Sequence, residues 1–193
     1  IDLSNLPAGG SFNRVVQNLE ECGFIVKMVP YGKKNREALF RLIDMFSIFY
    51  IKFVERHKSK RSGAWQSFAD STSYKNWCGY AFENISLLHI EEIHHALGIS
   101  GVHTEVSSWK VEKNNITAGA QVDLVIDRKD GIIHLCDAKF SNKPMLVTDK
   151  IAKDWANKRS IFEHATKTRK AVVTTLITSY PAQQNHHYRD EVH

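Results

Sequence analysis

The chain has 193 residues, with 26 Lys and Arg against 21 Asp and Glu, a net charge of +5 and a sequence pI near 9.1. With 42% hydrophobic and 24% charged residues, its composition is that of an ordinary globular protein long enough to bury a core, and the basic balance suits a polyanionic partner without demanding one. No apolar run approaches the roughly 18 residues of a membrane span, and the lack of a GxxxxGK[ST] phosphate loop excludes a self-contained P-loop ATPase.

Taken in chain order, Phe12, Val15, Val16 and Leu19 recur as one helical face, which predicts a helix over Ser11 to Cys22 with Gly23 as its C-cap. Phe24 to Val29 is β-rich, Pro30 to Arg36 breaks it, and Ala38 to Leu42 resumes it, the pattern of a hairpin. A helix followed by a hairpin with a basic tip is how a winged helix ends. Residues 1–57 are therefore read as a partial winged-helix module, with Lys33, Lys34 and Arg36 as candidate phosphate contacts. Asp44 caps a further helix bearing Met45, Phe46, Ile48, Phe49, Phe53 and Val54. The aromatics Phe40, Phe46, Phe49 and Phe53 are expected in a core. Residues 58–78 open on Lys58-Ser59-Lys60-Arg61 and read as a linker and packing segment, with Trp65, Phe68, Tyr74 and Trp77 returning the chain to a folded body.

Residues 79–193 form the second expected domain. It starts with a long helix from Gly79 to Leu97, with Phe82, Ile85, Leu88 or His89, Ile93 and Leu97 inward and Gly98 closing it. Glu91-Glu92-Ile93-His94-His95 contains an E-x-x-H pattern but no second copy, so these histidines are expected to be solvated. Val102 to Trp109 and Gln121 to Ile126 read as strands. The Asp130-Gly131 turn leads to a returning strand, Ile132 to Phe140. A helix over Lys150 to Lys167 and the β-branched run Ala171 to Ile177 complete a mixed α/β sheet.

Asp123 precedes Asp137-Ala138-Lys139 by one strand and a hairpin turn. Strict alternation puts Gln121, Asp123 and Val125 on one face, and Asp137 and Lys139 likewise on one. Pairing across the hairpin brings the two acids together. With the backbone carbonyl of Ala138 they make a hard oxygen site suited to Mg²⁺ or Mn²⁺. Lys139 is placed to orient a water or to offset charge on a phosphate. Cys22, Cys78 and Cys136 are scattered and form no CxxC pair. Without a signal peptide, this is the cysteine usage of a reduced, cytoplasmic protein. A chain opening at Ile1 is expected to be a piece of a longer protein.

The stretches Gly79 to Glu83, Ser108-Trp109, Gly119 to Arg128 and Cys136 to Phe140 resemble the PD-(D/E)XK nuclease superfamily. The match is closer to the C-terminal part of prokaryotic AAA-type ATPases that carry such a domain. Cys22 to Ile25 and Leu42 to Tyr50 resemble the winged helix that joins the two parts. The resemblance implies a restriction-endonuclease-like mixed sheet flanked by helices, and a Mg²⁺- or Mn²⁺-dependent nuclease acting on DNA. Its implied metal ligands are Asp123 and Asp137, with Glu83 matching an acid that is often a further ligand. Its implied catalytic residues are those three acids with Lys139, supported by Gln121. Expected partners are DNA and the ATPase portion of the parent protein, with no membrane. The alternative is a catalytically inactive DNA-binding, regulatory or interaction domain of that ATPase.

Overall fold

A computed structural model describes residues 9–55, 64–113 and 119–192, without the side chains of 64, 65 and 67. The basic segment expected as a linker and the side chain of Trp65 lie outside the described residues.

Helix α1 (Gly10–Glu21) ends where the sequence signals it. Gly23 takes φ +74°, and the amides of Gly23 and Phe24 return to the carbonyls of Glu20 and Leu19, the bond pattern of a Schellman cap. Strands β1 (Ile25–Met28) and β2 (Leu39–Leu42) pair antiparallel. Gly32 at φ +73° and the Lys33 amide bonding to Pro30 form a turn at the hairpin tip. Asp44 accepts from the amides of Phe46 and Ser47 to cap α2 (Met45–Phe49), which widens into a π turn over Tyr50–Val54.

The expected aromatic core is only partly formed. Phe53 is 6% exposed, but Phe40 is 49% and Phe46 72% exposed. Arg41 turns toward the next helix layer, so the two-residue period of β2 carries Phe40 away from it. Phe46 stands in the first turn of a five-residue helix.

Helix α3 (Ala64–Ala69) precedes α4 (Thr72–Leu88), which Ser71 caps. Position 79, the expected start of this helix, lies inside it. The single long helix is in fact two, because the backbone leaves helical geometry at His89 (φ −105°, ψ 37°) before α5 (Ile90–Ala96). The inward face also differs from the apolar stripe: Ile85 and Leu88 are exposed, while Asn84 is fully buried. Asn84 faces in because it is saturated there. Its Oδ1 accepts from Arg41 Nε, and its Nδ2 donates to the carbonyl of Leu42 at 2.9 Å. His94, expected in solvent, is buried with Nε2 3.3 Å from the Thr104 hydroxyl.

The main sheet contains β3 (Thr104–Val111), β4 (Ala120–Arg128) and β5 (Ile132–Lys139). After a short β6 (Met145–Leu146) and the long α6 (Asp149–Thr166) comes β7 (Ala171–Thr178). The order is β3-β4-β5-β7, antiparallel except for the parallel β5–β7 pair. A short β8 (Ala182–Gln183) pairs with β6, and α7 (His186–Glu191) follows. The turn into β5 needs Gly131, at φ +97°. Phe162 of α6 is fully buried on Val125, Ile133 and Leu135, while Leu124, Ile126 and Cys136 face Leu87, Ile93 and Leu97. The architecture is a mixed α/β sheet flanked by helices. Among the described residues no helix is long and apolar enough to cross a membrane.

One buried polar link crosses the sheet. His134 Nε2 lies 3.2 Å from Arg128 Nη1, which can only donate, so Nε2 must accept. Nδ1 then carries the proton and donates to the Thr175 hydroxyl at 2.8 Å. Burial first, and the Arg128 charge second, lower the His134 pKa from 6.5 to about 4. The folded state thus holds this imidazole neutral, and the stability so gained is complete above pH 6.5 and lost as pH falls toward 4. We expect urea melts of the wild type to lose up to roughly 3 kcal/mol more over this window than those of His134→Gln, which retains a donor and an acceptor but no titration. Parallel pH profiles would contradict this.

Candidate active site

β4 carries the irregularity that shapes the site. Between Ser107 and Trp109, β3 advances two residues while β4 advances three, from Val125 to Val122. The extra residue is a bulge at Asp123–Leu124. Val122 and Val125 consequently join the same core layer, while Leu124 joins the opposite one. The expectation that Gln121, Asp123 and Val125 share a face is corrected by this break in the two-residue period. Bulges re-aim side chains at sheet ends, and here Asp123 borders a cavity. The hairpin register pairs Leu124 with Cys136, so Asp123 and Asp137 are each the next residue outward.

The cavity, of about 120 Å³, is bordered by Glu83, Gln121, Asp123, Asp137, Ala138 and Lys139. Every member of the metal and catalytic set named from the sequence therefore lines one space. Asp137 Oδ2 accepts from Trp155 Nε1 at 2.8 Å, and its Oδ1 is 3.1 Å from Lys139 Nζ. Gln121 Nε2 donates to Asp123 Oδ1 at 2.8 Å. Across the cavity, Glu83 Oε2 is 2.8 Å from Arg41 Nη2, whose guanidinium also lies over the Tyr80 ring. Burial, and next the negative charge of Asp123, raise the Glu83 pKa above the ordinary carboxylate value, against the opposing pull of Arg41 and Lys139.

Two lining residues escaped sequence reading, Trp155 and Lys158 of α6. A signal existed: Ile151, Trp155, Lys158 and Phe162 follow helical spacing, so Lys158 is a cation set into an apolar stripe. Burial pulls the Lys158 pKa down, but its hydrogen bond to Asp154 and the charges of Asp137, Asp154 and Asp123 leave it raised. Lys33, Lys34 and Arg36 are elsewhere, at the β1–β2 tip, and do not border the cavity. Lys33 pairs with Glu37 at 3.3 Å, and the Tyr31 amide bonds the Ser108 carbonyl at 2.7 Å, holding the tip to β3.

Among the described residues, no three Asp, Glu, His or Cys side chains are grouped closely enough to enclose a metal ion. The donor set still fits an ion that retains most of its water: Mg²⁺ commonly binds through one or two carboxylates, and Asp123 and Asp137 both border the cavity. The raised pKa of Glu83 comes first from burial and only second from the Asp123 charge, and a dication would offset that second part. No protein-family model, curated protein or solved structure matches the chain.

A raised Glu83 pKa means that the folded state binds this proton more tightly than the unfolded chain does. The penalty is absent below the ordinary value of 4.5 and complete once pH has risen through the folded value. Glu83→Gln should therefore gain stability relative to wild type as pH rises from 4 toward 7, read as the difference in unfolding temperature. A difference that stays flat or shrinks with pH would refute the assignment.

Proposed function

We propose that the chain is a divalent-metal-dependent nuclease domain that hydrolyses phosphodiester bonds, with DNA as its substrate, on a PD-(D/E)XK type of scaffold. The observation that carries this reading is the convergence of Glu83, Asp123, Asp137 and Lys139 on one cavity, from a helix and two paired strands. Asp123 and Asp137 would hold Mg²⁺ or Mn²⁺, with Glu83 and the Ala138 carbonyl as further oxygen donors. Such an ion supplies polarisation of a phosphodiester and a more acidic bound water. The chain's own groups do the rest. Trp155 and Gln121 fix the two aspartates, Lys139 offsets charge developing on the phosphate, and Lys158 adds positive potential that attracts the polyanion.

The resemblance of Cys22 to Ile25 and Leu42 to Tyr50 to a winged helix supports a place within a larger AAA-type ATPase, in the cytoplasm. On this reading Lys33, Lys34 and Arg36 contact DNA phosphates outside the catalytic cavity. A second reading draws on the absence of a three-ligand cluster among the described residues and on the engagement of both Asp137 oxygens. In that case the chain is a DNA-binding or regulatory module without hydrolysis.

Calorimetry with Mn²⁺ and a DNA cleavage assay separate the two. The nuclease reading expects binding that Asp123→Ala abolishes, and metal-dependent cleavage that Lys139→Ala lowers at least ~100-fold. Salt-sensitive DNA binding with no cleavage at any metal concentration would establish the second reading instead.

A further inference from the structure

A second cavity, of about 290 Å³, adjoins the first and shares Gln121 and Asp123 with it. It opens between the β1–β2 hairpin and β3. From the hairpin its walls are Met28, Leu39, Phe40 and Leu42; facing them are Tyr80 and Trp109. Arg41 and Lys110 border the same space. Leu39 is 61% exposed and Phe40 49% exposed, although Met28 and Trp109 beside them are buried. Large apolar side chains are thus left open to solvent next to the cavity proposed to hold the phosphodiester.

We infer that this groove is a nucleoside subsite, which receives an unpaired base flanking the phosphodiester held at Asp123. The inference rests on the proposed nuclease reading and extends it to a substrate class, single-stranded nucleic acid. Three properties of the groove favour this occupant. It adjoins the acid cavity, with Gln121 and Asp123 lining both, an arrangement that suits a base in one and the neighbouring phosphate of the same strand in the other. Its apolar and aromatic walls suit the π-face of a base, which is covered in a stacked duplex and open in a single strand. On its rim Lys110, whose ion pair with Glu112 at 2.6 Å is exposed and weak, can exchange that partner for a flanking phosphate, whereas Arg41 stays with Glu83.

The structure also explains why the groove is held open. Tyr80 donates its hydroxyl to the Leu42 carbonyl at 2.7 Å, and Asn84 donates to the same carbonyl at 2.9 Å. At the other end of the hairpin, the Tyr31 amide is bonded to Ser108 and its ring packs 5.0 Å from Phe162. The hairpin is fastened at both ends, and the groove lies beside its middle.

The test uses fluorescence anisotropy of the whole chain with labelled oligothymidylate and oligouridylate in EDTA, where no metal-dependent cleavage occurs. The variants are Phe40→Ala and Leu39→Ser, whose exposed side chains make loss of folding avoidable, checked by unfolding temperature. The expected result is a loss of single-strand affinity of about 10-fold or more in Phe40→Ala. A matching loss is expected when wild type is given an oligonucleotide with abasic positions. Weakening for both sugars assigns the contact to the base; weakening for one alone assigns it to that nucleic acid and still upholds the groove. Affinity within twofold of wild type in both variants overturns the subsite, as does failure of wild type to bind either strand. Metal-dependent cleavage with unaltered affinity in the variants removes the subsite and leaves the nuclease standing. Base-dependent binding with no cleavage in Mg²⁺ or Mn²⁺ keeps the subsite and removes the nuclease.

Discussion

Three carboxylates border one small cavity, where burial first and the charge of Asp123 second oppose the ionisation of Glu83, and the surrounding structure gives each acid its own partner. The cost is met separately at each acid. Arg41 reaches Glu83 from the N-terminal hairpin, Lys139 and the Trp155 indole hold Asp137, and Gln121 donates to Asp123. At Glu83 burial, and next the Asp123 charge, outweigh Arg41 and Lys139, so its pKa stays raised. On the proposed reading a bound cation would offset the Asp123 contribution, while the burial of Glu83 is a cost to the fold.

The same need ties the N-terminal hairpin to the sheet. Arg41 is only 16% exposed at its side chain, and it bonds both Glu83 and the fully buried Asn84. A largely covered guanidinium without these partners would be destabilising. The hairpin is therefore a structural neighbour of the cavity as well as a carrier of the basic tip, and it forms one wall of the adjoining groove.

Much of this was legible in the sequence because it is carried by local rules. The Gly23 cap, the Asp44 N-cap, the Asp130-Gly131 hairpin and the buried β7 run each follow from chemistry within a few residues. The converging acids followed from the hairpin. What stayed hidden depends on contacts across the fold. No periodicity reveals that Asn84 is turned inward, because its partners Arg41 and Leu42 lie more than forty residues earlier. The split at His89 has no Pro or Gly to announce it. The bulge at Asp123 is a mismatch between β3 and β4, a property of the pair and invisible in either strand alone. Lys158 could have been found, since a cation within the stripe of Ile151, Trp155 and Phe162 calls for a buried anion, and Asp137 is near enough to shift its pKa.

The central claim is that Asp123 and Asp137 share one hard cation. The most direct measurement is anomalous diffraction from crystals of the chain grown with Mn²⁺, collected for wild type and for Asp137→Ala. The account predicts a Mn²⁺ peak between the two aspartate carboxylates in wild type and its disappearance in the variant. A wild-type crystal at saturating Mn²⁺ with no peak in that cavity, or with a peak that survives Asp137→Ala unchanged, would contradict it.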